Sequence, residues 1–336
     1  MNRTRTTLLA VAALLPLGML SACGGGDDAT AAGGITLTLA HSYTEDQPQH
    51  TCGAEVIKDE VEAADAGMSV EIYPNSQLGG DADRIASVQS GDIDLDLQGA
   101  SALASVYEPI GVVDAAYAFD SGQQVADFFR GKESEQLKQA FHDASGGVSI
   151  LGAYSAGARE FTANQPIREP ADLDGLRMRF PGSPQFLENA KALGAHATEV
   201  AYEELYLALQ QGVVDGQENP ITNIAALNLP EVQDYLSMTD HQQNSNLVIV
   251  GKVWDDLSEQ QQQVLQDAVD TAVDKMPGCV ADAEDEIISG WKQDGSIKIV
   301  DDVDVAAFSE QADAYFRDHL EGKSLEVYEA IKSSAK

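Results

Sequence analysis

The sequence predicts an α/β fold in two lobes, and three observations carry that prediction. Strand-like and helix-like segments alternate along most of the chain, the pattern of a sheet covered by helices. Some 300 residues are available for folding, more than one hydrophobic core usually absorbs. The alternation also stops and restarts near the middle, so two α/β units follow one another.

Taken in order, Ile35–Ala40 (ITLTLA) alternates β-branched and apolar residues and reads as a strand. Thr44 to about Ala64 reads as a helix and Ser69–Tyr73 as a second strand, ended by Pro74-Asn75. Asp81–Ser90 reads as a helix capped by Asp81, and Ile93–Leu97 as a third strand, giving an open parallel sheet. Gln123–Ala144 reads as one long amphipathic helix leading to a strand at Val148–Ala153. After the restart come a strand at Leu176–Phe180, helices at Pro184–Leu193 and Tyr202–Gln211, and a strand-like run at Leu247–Val250. Asp256 to about Ile288 is helical with an interruption at Pro277-Gly278. Ile297–Val300 is a strand, and two helices finish the chain.

The N-terminus carries a separate signal. Arg3 and Arg5 precede an apolar run from Leu8 to Leu20, about 13 residues against the roughly 20 that cross a bilayer. It ends in Leu20-Ser21-Ala22-Cys23, so residues 1–22 read as an export signal. The cysteine at the cleavage position resembles a bacterial lipobox, which implies cleavage before Cys23, diacylation of its thiol and an extracytoplasmic, membrane-anchored protein. An ordinary secretion signal with a chance cysteine is the alternative. Residues 23–34, rich in glycine, alanine and aspartate, cannot bury a core and read as a flexible tether.

Asp and Glu total 55 against 20 Lys and Arg, a net charge of -35. Nucleic acid and anionic lipid surfaces are disfavoured as partners, since both need a basic face. An anionic ligand would be repelled at long range and would need a local cation shielded from that surface. With Cys23 lipidated, Cys52 and Cys279 remain, and an even remainder outside the cytosol favours a disulfide between them. Two separate buried thiols are the alternative.

No G-x-S-x-G, H-E-x-x-H, P-loop or G-x-G-x-x-G is present, the six histidines are scattered, and no Cys/His spacing suits zinc. Neither an enzyme nor a cofactor is expected. Asp92, Asp94 and Asp96 alternate at period two and read as a polar strand face, with a hard-cation site as the less favoured reading. Arginine stands in more informative surroundings. Arg159 follows a strand within Gly157-Ala158-Arg159, and in Leu176-Arg177-Met178-Arg179-Phe180 the two arginines share one face. An arginine at a strand end, aimed into the cleft between lobes, holds a carboxylate with two parallel hydrogen bonds. Taken singly, each also fits a surface position. Farther on, Gly212 reads as a helix C-cap, Gly216 as a turn, and Asn219 as extended because a proline follows.

In combination these segments stop being generic. Asp172–Pro184 (DLDGLRMRFPGSP) is followed by Ala192-Leu193-Gly194-Ala195, Glu204–Gln210 (ELYLALQ) and Val213–Pro220 (VVDGQENP). In that order they closely resemble the solute receptors of tripartite ATP-independent periplasmic (TRAP) transporters, of the dicarboxylate-receptor type. Tyr73–Gly80 and Glu231–Leu236 fit the same family, and the likeness covers nearly everything from Ile35 onward. The resemblance implies a two-lobed, periplasmic-binding-protein-like fold, each lobe a mixed sheet flanked by helices, with long helices spanning both. Residues 35–156 would form one lobe, with about 245–284 returning to it. Residues 157–244 would form the other, completed by about 285–336.

The resemblance also assigns roles. Arg179 matches the arginine that clamps the ligand carboxylate, Arg159 a second arginine reaching it, and Asn219 an asparagine bonded to it. Tyr202 stands where the family usually has phenylalanine, and its hydroxyl favours a more polar ligand. Ala115-Ala116-Tyr117 replaces a stretch that often contains proline. Gln98 and Ser101 fall where the family varies with its ligand; they are specificity candidates or local helix caps. The function implied is an extracytoplasmic receptor that binds a small organic carboxylate, a sugar acid or other hydroxy or dicarboxylic acid. It would deliver that solute to the small and large membrane subunits of a TRAP transporter. A receptor feeding a sensor kinase is the alternative.

Overall fold

The computed structural model describes residues 34–335; the expected signal segment, most of the tether and Cys23 lie outside the described residues. Alternation makes β1 (Ile35–Ala40) as the sequence suggests, with Leu37 and Leu39 fully buried. It pairs in parallel with β2 (Met68–Tyr73) and β3 (Leu95–Gln98). Helices α1 (Glu55–Ala63) and α2 (Asp81–Ser90) follow β1 and β2. The short α3 (Ala100–Leu103) follows β3, and α4 (Gly122–Arg130) and α5 (Glu135–Ser145) lead into β4 (Ser149–Ala163). Then come β5 (Arg177–Phe180), α6 (Pro184–Leu193), β6 (His196–Glu199), α7 (Leu205–Gln210), β7 (Gly216–Pro220) and α8 (Ile221–Ala226). The long β8 (Tyr235–Val250) precedes α9 (Val253–Asp256), α10 (Glu259–Asp294), β9 (Lys298–Val300), α11 (Val305–His319) and α12 (Gly322–Ser333).

Among the described residues these strands form one mixed sheet, ordered β2-β1-β3-β8-β4-β7-β5-β6 with β9 beside β8. The pair β4 and β8 is its spine. Their antiparallel ladder runs from Ser149↔Val250 to Ala163↔Tyr235. One end of β8 pairs with β3, while the far end of β4 pairs with β7. The two lobes therefore share two continuous strands. The ladder slips register between Ser155 and Ala158 and again between Arg159 and Phe161. Gly157 sits in the slip between Ser155 and Ala158 at φ 102°, in the left-handed region that glycine tolerates.

Helix α10 ties the halves together from behind. Ser258 and Gln261 form its capping box. Leu265, Val269, Val273 and Met276 pack into the core under β1 and β3. Ile287, Ile288 and Trp291, farther along, pack against the core around Leu205 and Ile221. Cys279, in the middle of this helix, is bonded to Cys52, across 227 positions of sequence.

Several local expectations are corrected. The sheet is mixed, not parallel, because β4 and β8 run against each other, β8 against β3 and β4 against β7. The first helical stretch begins at Gln49 with a π turn, not at Thr44. Gln123–Ala144 is two helices broken at Gly131, whose extended backbone (φ -80°, ψ 166°) ends α4. Conversely, α10 passes Pro277 unbroken; a proline forfeits one helical bond, and flanking Val273, Met276 and Val280 stay buried. Gly80, not Asp81, is the N-cap of α2, and Asp81 lies in the first turn beside Arg84. Gly216 is a strand residue, not a turn: a Cβ there would approach the Met178 sulfur to 2.9 Å.

Candidate ligand-binding site

Arg179 owes its position to the alternation of β5. Met178 and Phe180 point to the core and are fully buried. On the other face Arg177 lies at the rim, exposed and paired with Asp215 at 2.7 Å. Arg179 points inward and is only 2% exposed. Its Nε donates to the Val200 carbonyl at 2.8 Å, while Nη1 is buried with no partner. Burial pushes its pKa down to about 10; Glu218 opposes this shift and Arg159 adds to it. The group remains a cation at neutral pH.

Arg159 lies two residues past the Gly157 bulge and is equally buried, yet its surroundings differ. Its Nε and Nη2 grip the Glu218 carboxylate, with Nη2 at 2.7 Å from Oε1. Nη2 also donates to the Glu218 carbonyl at 2.8 Å and to Asn219 Oδ1 at 3.2 Å, and Nη1 to Asn244 Oδ1 at 2.7 Å. The guanidinium stands 4.8 Å from the Phe186 ring centre. Burial raises the Glu218 carboxyl, but Arg159 and His241 outweigh it and hold it below the usual carboxylate range. His241 itself is lowered by burial, and Glu218 offsets only part of that.

Both arginines open on a cavity of about 410 Å³ beside the carboxyl ends of β3, β5 and β7. All six expected site residues line it: Arg179, Arg159, Asn219, Tyr202, Gln98 and Ser101. Asn219 is held by Arg159 through Oδ1 and by Gln217 through Nδ2 at 2.6 Å. Tyr202 opens a short 3-10 turn after β6 and is partly exposed. Gln98 also does local work, since its Oε1 accepts from the Gly99 N–H at 3.0 Å at the start of α3. The Ser101 N–H donates to Asp114 at 2.7 Å.

The cavity holds residues that sequence reasoning missed. Asn244, Ser245 and Asn246 belong to β8, whereas only Leu247–Val250 had the composition of a strand. The period-two spacing of Asn244 and Asn246 was the available signal. Arg84 on α2 is 1% exposed and binds Asp96 at 3.0 Å and Asp81 at 2.8 Å. The alternating aspartates thus serve different partners. Asp96 meets Arg84, Asp94 accepts from the Thr38 N–H at 2.8 Å, and Asp92 accepts from Ser90 at 2.8 Å.

A cleft with a buried cation, walled by amides and hydroxyls from both halves of one sheet, defines the class: a receptor for a small polar solute. The chain belongs to the bacterial extracellular solute-binding proteins of family 7, whose model matches residues 39–323, and is of the kind that serves TRAP transporters. It is 33% identical over 281 residues to a solute-binding protein of Roseobacter denitrificans, covering 83% of this chain and 85% of that one. It is 28% identical over 286 residues to the 2,3-diketo-L-gulonate-binding periplasmic protein of Escherichia coli, covering 84% and 86%. Among solved structures, a TRAP periplasmic solute-binding protein from Roseobacter denitrificans with bound L-galactonate superposes with a TM-score of 0.80 at 31% identity, covering 88% of this chain and 98% of that one. One from Polaromonas bound to D-erythronate gives 0.82 at 28% identity, covering 90% and 99%. Among the described residues no helix is long and apolar enough to cross a membrane.

Proposed function

We propose that this receptor captures a small organic carboxylate and delivers it to the small and large membrane subunits of a TRAP transporter. One observation carries the reading: Arg179 Nη1 is buried in the cavity wall with no partner. A buried donor on a cation costs free energy unless something accepts from it, and a carboxylate matches the guanidinium fork. Asn219 and the spare Nη1 hydrogen of Arg159 stand beside it, and Tyr202, Gln98 and Ser101 complete the wall. The sugar-acid ligands named for the similar proteins agree with this chemistry.

Capture proceeds by closure. Residues 35–156 with about 245–284, and residues 157–244 with about 285–336, act as lobes that hinge on β4 and β8 near the Gly157 bulge. Arg179 and Asn219 belong to one side, Gln98 and Ser101 to the other, so only the closed form makes every contact. The ligand shifts the open–closed equilibrium by that difference in affinity, and the membrane subunits read the closed state. The solute leaves unaltered, without turnover.

Thermal unfolding of the purified protein against a panel of small organic acids tests this. A ligand at 100 times its dissociation constant stabilises by about 2.7 kcal/mol, a shift of a few degrees at this size. The shift should vanish in Arg179→Ala and largely in Arg179→Lys, because a point charge does not replace a planar fork. Undiminished affinity in Arg179→Ala would sink the assignment. The same reading places a lipid on Cys23, on the strength of Leu20-Ser21-Ala22-Cys23. Full-length protein should partition into detergent and Cys23→Ala should not; equal partitioning would exclude the anchor.

A further inference from the structure

The carboxylate reading leaves two chemically distinct classes, polyhydroxylated monoacids and dicarboxylates, and the charges around the cavity separate them. Three cations line it: Arg84, Arg159 and Arg179. Arg84 is committed, Nε to Asp96, Nη2 to Asp81 and Nη1 to the Gly79 carbonyl at 2.8 Å. Arg159 is committed to Glu218. Among the described residues only Arg179 lines the cavity without an acidic partner. One arginine neutralises one carboxylate.

The opposite wall offers the reverse chemistry. Asp114 is a buried carboxyl there, accepting from the Ser101 N–H at 2.7 Å and from Ser245 Oγ at 2.7 Å. Beside it Asn246, 1% exposed, leaves Oδ1 buried without a partner. Its amide orientation is fixed, because Nδ2 lies 3.0 Å from the Ser245 carbonyl, which only accepts, and 2.6 Å from the Tyr43 hydroxyl. Two residues of the cavity lining therefore each carry a buried polar atom with no partner: a donor on the Arg179 cation at β5 and an acceptor on Asn246 at β8. These strands are separated by β7 and β4, roughly 14 Å across the sheet at ~4.8 Å per spacing. A second ligand carboxylate would meet an acidic group and an acceptor there, with no cation to offset its desolvation. A hydroxyl satisfies the same wall, because it donates.

We infer that the ligand is a polyhydroxylated monocarboxylate of the aldonate class, and that Asn246 is a specificity-determining residue accepting a ligand hydroxyl on the side away from the carboxylate. This rests on the carboxylate reading of Arg179.

The test pairs each aldonate with the aldarate formed by oxidising its terminal hydroxymethyl group. L-Galactonate is compared with galactarate, D-erythronate with meso-tartrate, and succinate is included, all by titration calorimetry on the purified protein. The better-binding aldonate should exceed its aldarate by at least 100-fold, and succinate should fall below both aldonates. An aldarate or succinate that binds as tightly as the best aldonate would overturn this inference while leaving the carboxylate reading in place. Failure of every acid to bind folded protein would overturn both. Asn246→Ala should weaken the aldonate by at least 10-fold and narrow the aldonate-to-aldarate ratio. An equal loss for both acids would reduce Asn246 to a structural role and refute its assignment.

Discussion

Of the three buried guanidinium groups that line one cavity, Arg159 and Arg179 sit in regions built for different ends. At the junction of β4 and β7, Arg159 is surrounded by acceptors: the Glu218 carboxylate and carbonyl, Asn219 and Asn244. At the end of β5, Arg179 has the Val200 carbonyl and an idle Nη1. The charge of the first region is compensated without a ligand and that of the second is not. Burial therefore does not by itself mark a binding arginine; what marks it is burial without compensation.

The largest expected effect breaks the completed region. Arg159→Ala leaves the buried Glu218 carboxylate with His241 as its remaining side-chain partner, and breaking a buried ion pair from one side typically costs about 3–5 kcal/mol of stability. Denaturant unfolding measures it. A loss below about 1 kcal/mol would mean that Glu218 takes up a proton or finds another partner, and the contrast between the regions would collapse. The matching change at β5 sharpens the comparison. Arg179→Met removes an uncompensated cation and orphans no acid, so ligand-free stability should hold or rise by about 1 kcal/mol. Destabilisation comparable to that of Arg159→Ala would show that Arg179 is structural.

The two regions were unequally legible in the sequence. The arginines could be found because a charged residue alternating with Met178 and Phe180 needs an explanation, and the family pattern around them is dense. The partner of Arg159 could not, since Glu218 meets it only across the β4–β7 ladder. The spine of the fold was hidden for a related reason. Gln242, Asn244 and Ser245 are poor or indifferent strand formers, yet all are buried because β8 runs between two cores that share it. Only its apolar end, Leu247–Val250, announced a strand. Likewise nothing in the Asp81–Ser90 segment singled out Arg84, whose partner Asp96 comes from β3. With Cys23 set aside as the lipidation candidate, parity favoured the Cys52–Cys279 bond over two separate thiols, and the bond is present.

A third charged group, beside the Gly157 bulge, extends the comparison, with a smaller effect expected. Glu284 on α10 lines a second cleft, of about 890 Å³, together with Gly157, Asp120, Asp240 and Gln243. Its Oε1 is buried without a partner. Burial, then Asp240 and Asp285, push its pKa up from 4.5 to about 7. Because the folded pKa lies above the unfolded one, the native state holds this proton more tightly than the unfolded chain does. Its contribution to stability is therefore fully present below pH 4.5 and is lost as pH rises toward and through about 7. Glu284→Gln, which cannot ionise, should be more stable than the parent by about 1–2 kcal/mol at pH 8, with the difference shrinking toward zero near pH 4.5. Unfolding curves for both proteins across that range decide it. A difference independent of pH would show that the Glu284 carboxyl is hydrated or already paired, unlike Arg179 Nη1.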